Sequence, residues 1–398
     1  MLFCIVGSWR PLGGGYDFWA HAAVGRWIAN HRQIPSEGLF IWSAPDTPWV
    51  AHSWLSQLFF YFLLHFTSPF GVMLFNTGMV CLVFFLIWKL WQGRGGTSIL
   101  VALIFALGIW VSSPRFHPRQ ELLTALILVM LLKFLVQWRT TDAPKPRVAL
   151  TACCLVLLFA LWINLHALVA LGLILVVVTA ASDALQYRFD RRTQILIGMA
   201  VLCLLATVLN PWGIGYWAAA NVLKSGSQAA SVDEWKPFWK TPTLAMKYVY
   251  AEGALLLLCL FAWLRNDRRR WAEILWLLLT ALMFVKARRM LWLLAIVCLV
   301  VMAANARSFE TETLWRSWKK LTRQPLGEHI PPLFRMTAQA GGVGILLIWI
   351  ASIGSIFRTE SPEYWPPRGI DLQAPVQAAA FIDRQKYPGR VFNDYETS

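Results

Sequence analysis

The sequence predicts an all-α polytopic membrane protein, on three observations. Of its 398 residues, 58% are apolar or aromatic and 14% are charged, against roughly 45–50% and about 25% in soluble domains. Apolar runs long enough to cross lipid recur along most of the chain. The seven cysteines (Cys4, Cys81, Cys153, Cys154, Cys203, Cys259 and Cys298) all lie inside apolar runs, with no Cys-x-x-Cys pair. They read as small buried hydrophobes, not as disulfides or zinc ligands. Over half of any folded surface is already apolar, so a soluble fold has nowhere to hide this surplus. A soluble enzyme, a disordered chain and a nucleic-acid binder are excluded, despite a net charge of +15. In a membrane protein such a surplus belongs to loops that meet anionic lipid or phosphate.

The elements follow in order. Residues 2–9 are apolar but too few to span, and they lack the basic start and small-residue cleavage site of a signal peptide. They predict the tail of a helix that begins earlier, or an interfacial stub. Residues 10–53 form a first loop outside the lipid, rich in aromatic and polar residues and containing Gly13-Gly14-Gly15. The run 54–66 would reach only about 20 Å as a helix, short of the roughly 30 Å hydrocarbon core, and predicts a helix lying in the interface. Membrane helices are expected near 71–88, 97–112, 120–138, 148–163, 168–185, 194–209, 249–264, 273–285, 290–306 and 341–357, about ten crossings. Residues 273–285 could also be re-entrant. Together, 54–357 make the transmembrane bundle. The segment 358–398 begins a C-terminal outer domain, with a short helix from Pro375 to Asp383 and a strand at Arg390-Val391-Phe392. It stops abruptly, as a truncated α/β domain would.

With 10–53 outside, the loops at 139–147, 186–193, 265–272 and 307–340 fall in the cytoplasm, where Arg188, Arg191, Arg192 and Arg268-Arg269-Arg270 meet the positive-inside rule. Lys and Arg nevertheless divide almost evenly between the two sides, so counting them does not fix orientation. Two outer loops are tiny yet basic: Arg115-Phe116-His117-Pro118-Arg119 and Lys286-Ala287-Arg288-Arg289. Such residues can anchor helix ends to headgroups. They also suit a phosphate site, because guanidinium forks match phosphate oxygens and stay charged.

The first loop reads Tyr16-Asp17-Phe18-Trp19-Ala20-His21, then Gly25-Arg26-Trp27-Ile28 and Gln33-Ile34-Pro35, and closes with Trp49-Val50-Ala51-His52-Ser53-Trp54-Leu55. It resembles the first extracytoplasmic loop of GT-C membrane glycosyltransferases, the group of the protein O-mannosyltransferases and lipid A aminoarabinose transferases. It is more similar still to a set of bacterial multi-pass proteins with an Asp-x-Trp-x-His start, a later Ile-Pro and a His-x-Trp-Leu end. Further pieces of that resemblance are Arg115 to Arg119 before a helix, Leu161-Trp162-Ile163-Asn164-Leu165-His166, Asn210-Pro211-Trp212-Gly213, Glu234-Trp235, Ala287-Arg288-Arg289 and Arg390 to Tyr395. Mannosyltransferases carry an acidic pair where Phe18 follows Asp17 here. The resemblance implies a GT-C-like helical bundle with interfacial helices in its first outer loop. It also implies sugar transfer from a polyprenyl-phosphate donor to a lipid, glycan or protein acceptor, outside the cytoplasmic (inner) membrane.

The residue chemistry suits that transfer. An acceptor hydroxyl needs a base, and Asp17 is the carboxylate best placed to serve; the alternative is an N-cap for a helix starting at Phe18. The leaving lipid phosphate needs fixed positive charge, for which Arg115, Arg119, Lys286, Arg288 and Arg289 are the candidates. Tyr16, Trp19 and Trp49 could stack on a sugar. His21 lies four residues after Asp17, on the same face of a helix. His52, His117, Asn164 and His166 are further candidates for lining the substrate, with helix-end satisfaction the alternative for the last two. Asp17, His21, Glu37 and Asp46 offer ligands in no recognised metal spacing, which leaves a divalent ion open and no cofactor assigned. The competing function is non-enzymatic: a transporter of lipid-linked glycans, or a subunit of an envelope-assembly complex. Transport calls for ionisable groups mid-helix, whereas most here sit at helix ends. Separation of Asp17 from the basic loops by more than about 15 Å would remove the main support for an enzyme.

Overall fold

The computed structural model describes residues 2–9, 12, 17–39, 49–94, 99–139, 145–218, 233–267, 269–309, 381–382 and 384–385. The expected crossing at 341–357, nearly all of the C-terminal domain, Tyr16 and Asp46 lie outside the described residues. Those described are helical, with 3-10 turns and no strand. The helices are α1 Leu2–Ser8, α2 Phe18–His31, α3 Trp54–Gln92, α4 Ile99–Ser112, α5 Gln120–Trp138 and α6 Lys145–Leu165. They continue with α7 Val169–Tyr187, α8 Arg191–Ala206, α9 Met246–Arg265, α10 Trp271–Lys286 and α11 Leu291–Ala304.

Five helical stretches are long and apolar enough to cross a membrane: α3, α5, Val148–Leu165 within α6, α7 and α9. The expected runs at 97–112, 194–209, 273–285 and 290–306 are also helices, but shorter ones. Large apolar side chains stand outward along several helices, among them Leu157, Leu161, Val201, Leu205, Leu257, Leu278 and Leu282. An exposed apolar surface of this extent is foreign to a soluble monomer and natural beside lipid. The chain is a helical protein built to meet a bilayer.

Packing adds one feature and corrects one reading. Residues 291–303 are buried in almost every position, so α11 is enclosed by the other helices. Hydrophobicity on all sides is what a helix enclosed by other helices requires. Cys153 and Cys154, by contrast, are exposed on α6, while Cys4, Cys203, Cys259 and Cys298 are buried.

The interfacial run at 54–66 and the crossing at 71–88 are joined as α3, broken by a non-helical Ser68 (φ 66°, ψ 172°) and followed by Pro69. A non-glycine residue at positive φ carries backbone strain, and Pro69 cannot donate to the helix ladder. α2 lies on the first arm of α3. The contact is so close at Gly25 that a Cβ there would stand 2.1 Å from the Gln57 carbonyl oxygen. Phe18, Ala22, Phe60 and Val72 fill the seam.

Polar groups collect at the two ends of the bundle. One end carries the turn 113–119, His166, residues 207–209, the turns at 233–241 and the turn 287–290. The other carries Arg94, Arg139, Asp190, Asn266, Arg270 and Asn305. There Arg270 holds both oxygens of the fully buried Asp183 (2.8 and 2.9 Å), and Arg139 Nε adds a third bond at 2.9 Å. The loops grouped as cytoplasmic from sequence thus gather at one end where they are described.

Candidate functional site

Pro114 and Pro118 end α4 and delay α5, leaving a short connection that holds Arg115 in a 3-10 turn and Arg119 in extended backbone. α10 ends where Ala287 takes extended backbone, and a 3-10 turn at Arg288–Met290 leads into α11. Packing of α5 against α11 then brings the two basic turns together. Arg115 donates to Glu121 (2.7 Å) and to Glu234 (2.8 Å). Arg289 pairs with the other oxygen of Glu121. Arg119 reaches Glu234 at 3.3 Å and Asp17 at 3.8 Å. One unbroken chain of ion pairs therefore links Arg289, Glu121, Arg115, Glu234, Arg119 and Asp17.

The carboxylates in that chain are not alike. Glu121 stands in the first turn of α5 with a side chain only 9% exposed, where the helix N-terminus favours negative charge. Glu234 is on the 3-10 turn Asp233–Trp235 and 36% exposed. Burial pushes its carboxyl up, but Arg115 and Arg119 overcome that and hold it below the usual carboxylate range. Asp17 is 53% exposed. It precedes α2 but makes no capping bond through its side chain, and among the described residues its ion pair is with Arg119.

Behind the arginines lies a layer of histidines and amides. His21, one turn into α2, is met by the amide nitrogens of Gln57 (3.3 Å) and Gln120, and His166 Nδ1 lies 3.1 Å from the Thr124 hydroxyl. Thr124 accepts from Trp162 Nε1 (3.0 Å), so its own proton is free for His166 Nδ1. His52 Nδ1 donates to the Val50 carbonyl (3.3 Å). Desolvation pushes all three imidazoles down, His21 to about 4 and His166 to about 3; neighbouring Asp17 and Glu121 respectively oppose this. The layer is uncharged at neutral pH and can offer hydrogen bonds without competing for anions.

The remaining candidates are placed differently. Asn164 is fully engaged: it accepts from Trp54 Nε1 (2.8 Å) and donates to the Ala160 and Leu209 carbonyls (both 2.8 Å). That arrangement fastens a helix end. Trp19 packs edge-on to Phe18 in the α2–α3 seam. His117 is buried within its turn. Lys286 is exposed at the end of α10, and Arg288 donates to the Lys240 carbonyl at 3.2 Å. Trp49 is half-buried. Among the described residues no group of three or more His, Cys, Asp or Glu could hold a metal ion.

Glu121, Gln57 and Gln120 were not among the sequence candidates. Glu121 had a signal, a carboxylate in the first turn of a membrane helix beside a basic turn; the two amides had none. Trp235 covers the Arg289 guanidinium at 4.5 Å. A cavity of about 20 Å³ opens between Arg115, Glu121, Ser112, Phe84 and Trp292. It has room for a water. Compared with protein-family models and with curated proteins, the chain matches none.

Proposed function

We propose that this chain is a multi-pass glycosyltransferase of GT-C-like architecture in the cytoplasmic membrane. It moves a sugar from a polyprenyl-phosphate donor to a lipid, glycan or protein acceptor at the outer face. Arg119 carries the reading, because it touches Asp17 and belongs to the same ion-pair chain as Arg115 and Arg289. A base and a phosphate-binding group are thereby within one side chain of each other. In this reaction the acceptor oxygen attacks the anomeric carbon and Asp17 takes its proton. The bond from that carbon to the phosphate oxygen breaks, and the lipid phosphate leaves as an anion. Arginines fixed in advance where that charge develops lower the barrier more than mobile surface cations would. The uncharged imidazole and amide layer suits sugar hydroxyls.

The test is Asp17→Asn in the full chain, supplied with polyprenyl-phosphate sugars. Transfer should fall by about 10²- to 10⁴-fold, the usual contribution of a general base, with expression intact. Wild-type turnover in that variant would sink the assignment of Asp17.

A further inference from the structure

We propose that Arg115 and Arg119 form a phosphoryl-binding subsite whose resting occupant is the chain's own Glu234 carboxylate, which an incoming phosphate displaces. The proposal rests on the phosphate-binding reading above and adds how the site is kept and opened. Three observations carry it.

The first is the shape of the contact. Glu234 offers Oε1 to Arg115 Nη1 at 2.8 Å and to Arg119 Nη1 at 3.4 Å, while Oε2 lies 3.3 Å from Arg119. Two guanidinium groups four residues apart in sequence share one small oxyanion. Phosphate oxygens satisfy the same forks, with one more acceptor to offer. That extra acceptor has a use, because Arg115 Nε and Arg119 Nε are buried with no hydrogen-bond partner among the described residues.

The second is mobility by construction. Glu121 is buried on α5 and bridges Arg115 to Arg289, so it has no path out. Glu234 belongs to a 3-10 turn outside the helices and is the more exposed of the two. Just beyond it the chain is fastened again. Trp235 lies over Arg289, and the Lys236 carbonyl accepts from the Arg288 amide at 2.9 Å. Glu234 can therefore swing into water while the next residues stay docked.

The third is charge. Arg115, Arg119 and Arg289 are matched by Glu121, Glu234 and Asp17. Departure of Glu234 leaves one positive charge in excess, which a phosphate meets and a neutral ligand does not. The same exchange would keep unfilled arginines from capturing anionic headgroups at random.

The test uses the full chain in detergent micelles, with inorganic phosphate and a short-chain polyprenyl monophosphate as probes. Binding is measured by calorimetry, and hydrogen exchange is followed over 233–241. In the wild type, binding should speed exchange at 233–235 and leave 236–241 as protected as before. Glu234→Gln should bind about tenfold tighter and show no further change in exchange, and Arg119→Gln should lose binding. Glu234→Ala should match Glu234→Gln, which guards against a glutamine that keeps part of the contact. Unchanged or weaker binding in both Glu234 variants would overturn the proposal, as would wild-type binding with no effect on 233–235. Tight binding of both probes identifies the phosphoryl group itself as the ligand; binding of the lipid alone assigns the source to lipid. Either supports the displacement. Loss of transfer in Asp17→Asn beside unchanged binding in the Glu234 variants would leave glycosyl transfer standing and remove the exchange. Tighter binding in those variants with no transfer by the wild type would do the reverse.

Discussion

The two ends of the bundle are built from the same side chains and differ in where the carboxylate comes from. At one end Asp183 is fully buried on α7 and takes three hydrogen bonds from Arg139 and Arg270. Arg270 also donates to the Leu135 carbonyl at 2.7 Å, so this network stitches α5, α7 and the start of α10. At the other end one carboxylate, Glu121, is equally fixed, while Glu234 and Asp17 come from outside the spanning helices and keep solvent contact. An ion pair with no access to water can only hold. An ion pair with one exposed partner can be exchanged. The same ion-pair chemistry thus gives a rivet at Asp183, beside the more exposed Asp190, and a replaceable contact at Glu234.

Four changes would break or sharpen that contrast. The largest effect is expected for Asp183→Ala, which leaves the buried Arg270 guanidinium without its carboxylate, while Arg139 keeps Asp190. Removing one partner of a buried pair costs about 3–5 kcal/mol, read as a large fall in melting temperature in detergent. A loss below about 1 kcal/mol would mean that the two ends are not different in kind. Next comes Gly25→Ala, where the added methyl meets backbone and not a flexible side chain. Overpacking of about 1–3 kcal/mol should loosen α2 from α3, expose 18–31 to hydrogen exchange, and leave 183–190 unchanged.

Acidification separates the ends further. The unfolded chain's histidines titrate near 6.5, while folded His21 and His166 stay neutral down to about 4 and 3. The unfolded state therefore binds more protons in this window. The stability held above pH 6.5 is lost as pH falls toward 4, by roughly 1 kcal/mol per ring at pH 5 after allowing for partial solvent contact. Asp190, held down to about 2 chiefly by its bond from Arg139, keeps the opposite end ionised throughout. Exchange at pH 5 should rise over 17–31 and 164–168 but not over 183–193, and His166→Gln should flatten the pH dependence. The smallest effect on stability, below about 1 kcal/mol, is expected for Glu234→Gln, since a part-exposed pair contributes little. A loss matching that of Asp183→Ala would make Glu234 a rivet too.

Much of this was legible in the sequence. Apolar runs placed α3 to α11 within a few residues, because a run long enough to cross lipid has few other fates. The two short basic turns stood out because such charge serves no topological purpose there, and Asp17 stood out beside the aromatic loop. Hydropathy could not separate α11 from its neighbours, since a helix wrapped in protein and one wrapped in lipid are both apolar. Nor could it pair Arg115 with Glu234, or Arg289 with Glu121, across the long stretches of chain between them. Those partners are set by which helices pack together. At Asn164 the sequence left two readings open, a substrate contact and a satisfied helix end. A polar group at a helix end reads as a candidate ligand until its three bonds to Trp54, Ala160 and Leu209 are traced.

The Arg270 bond to the Leu135 carbonyl has a consequence for depth. Glu121 and Leu135 mark the two charged networks along a single helix, α5. Fourteen residues of α-helix rise only about 21 Å, and the hydrocarbon layer is about 30 Å thick. The innermost charges of both networks therefore stand within the thickness of the hydrocarbon layer, while Arg119 and Arg139, at the two ends of the same helix, lie about 30 Å apart and reach its edges. Glu121 and Asp183 are held below the lipid surface, shielded by the helices around them, and their more exposed neighbours Glu234 and Asp190 mark the level of the water.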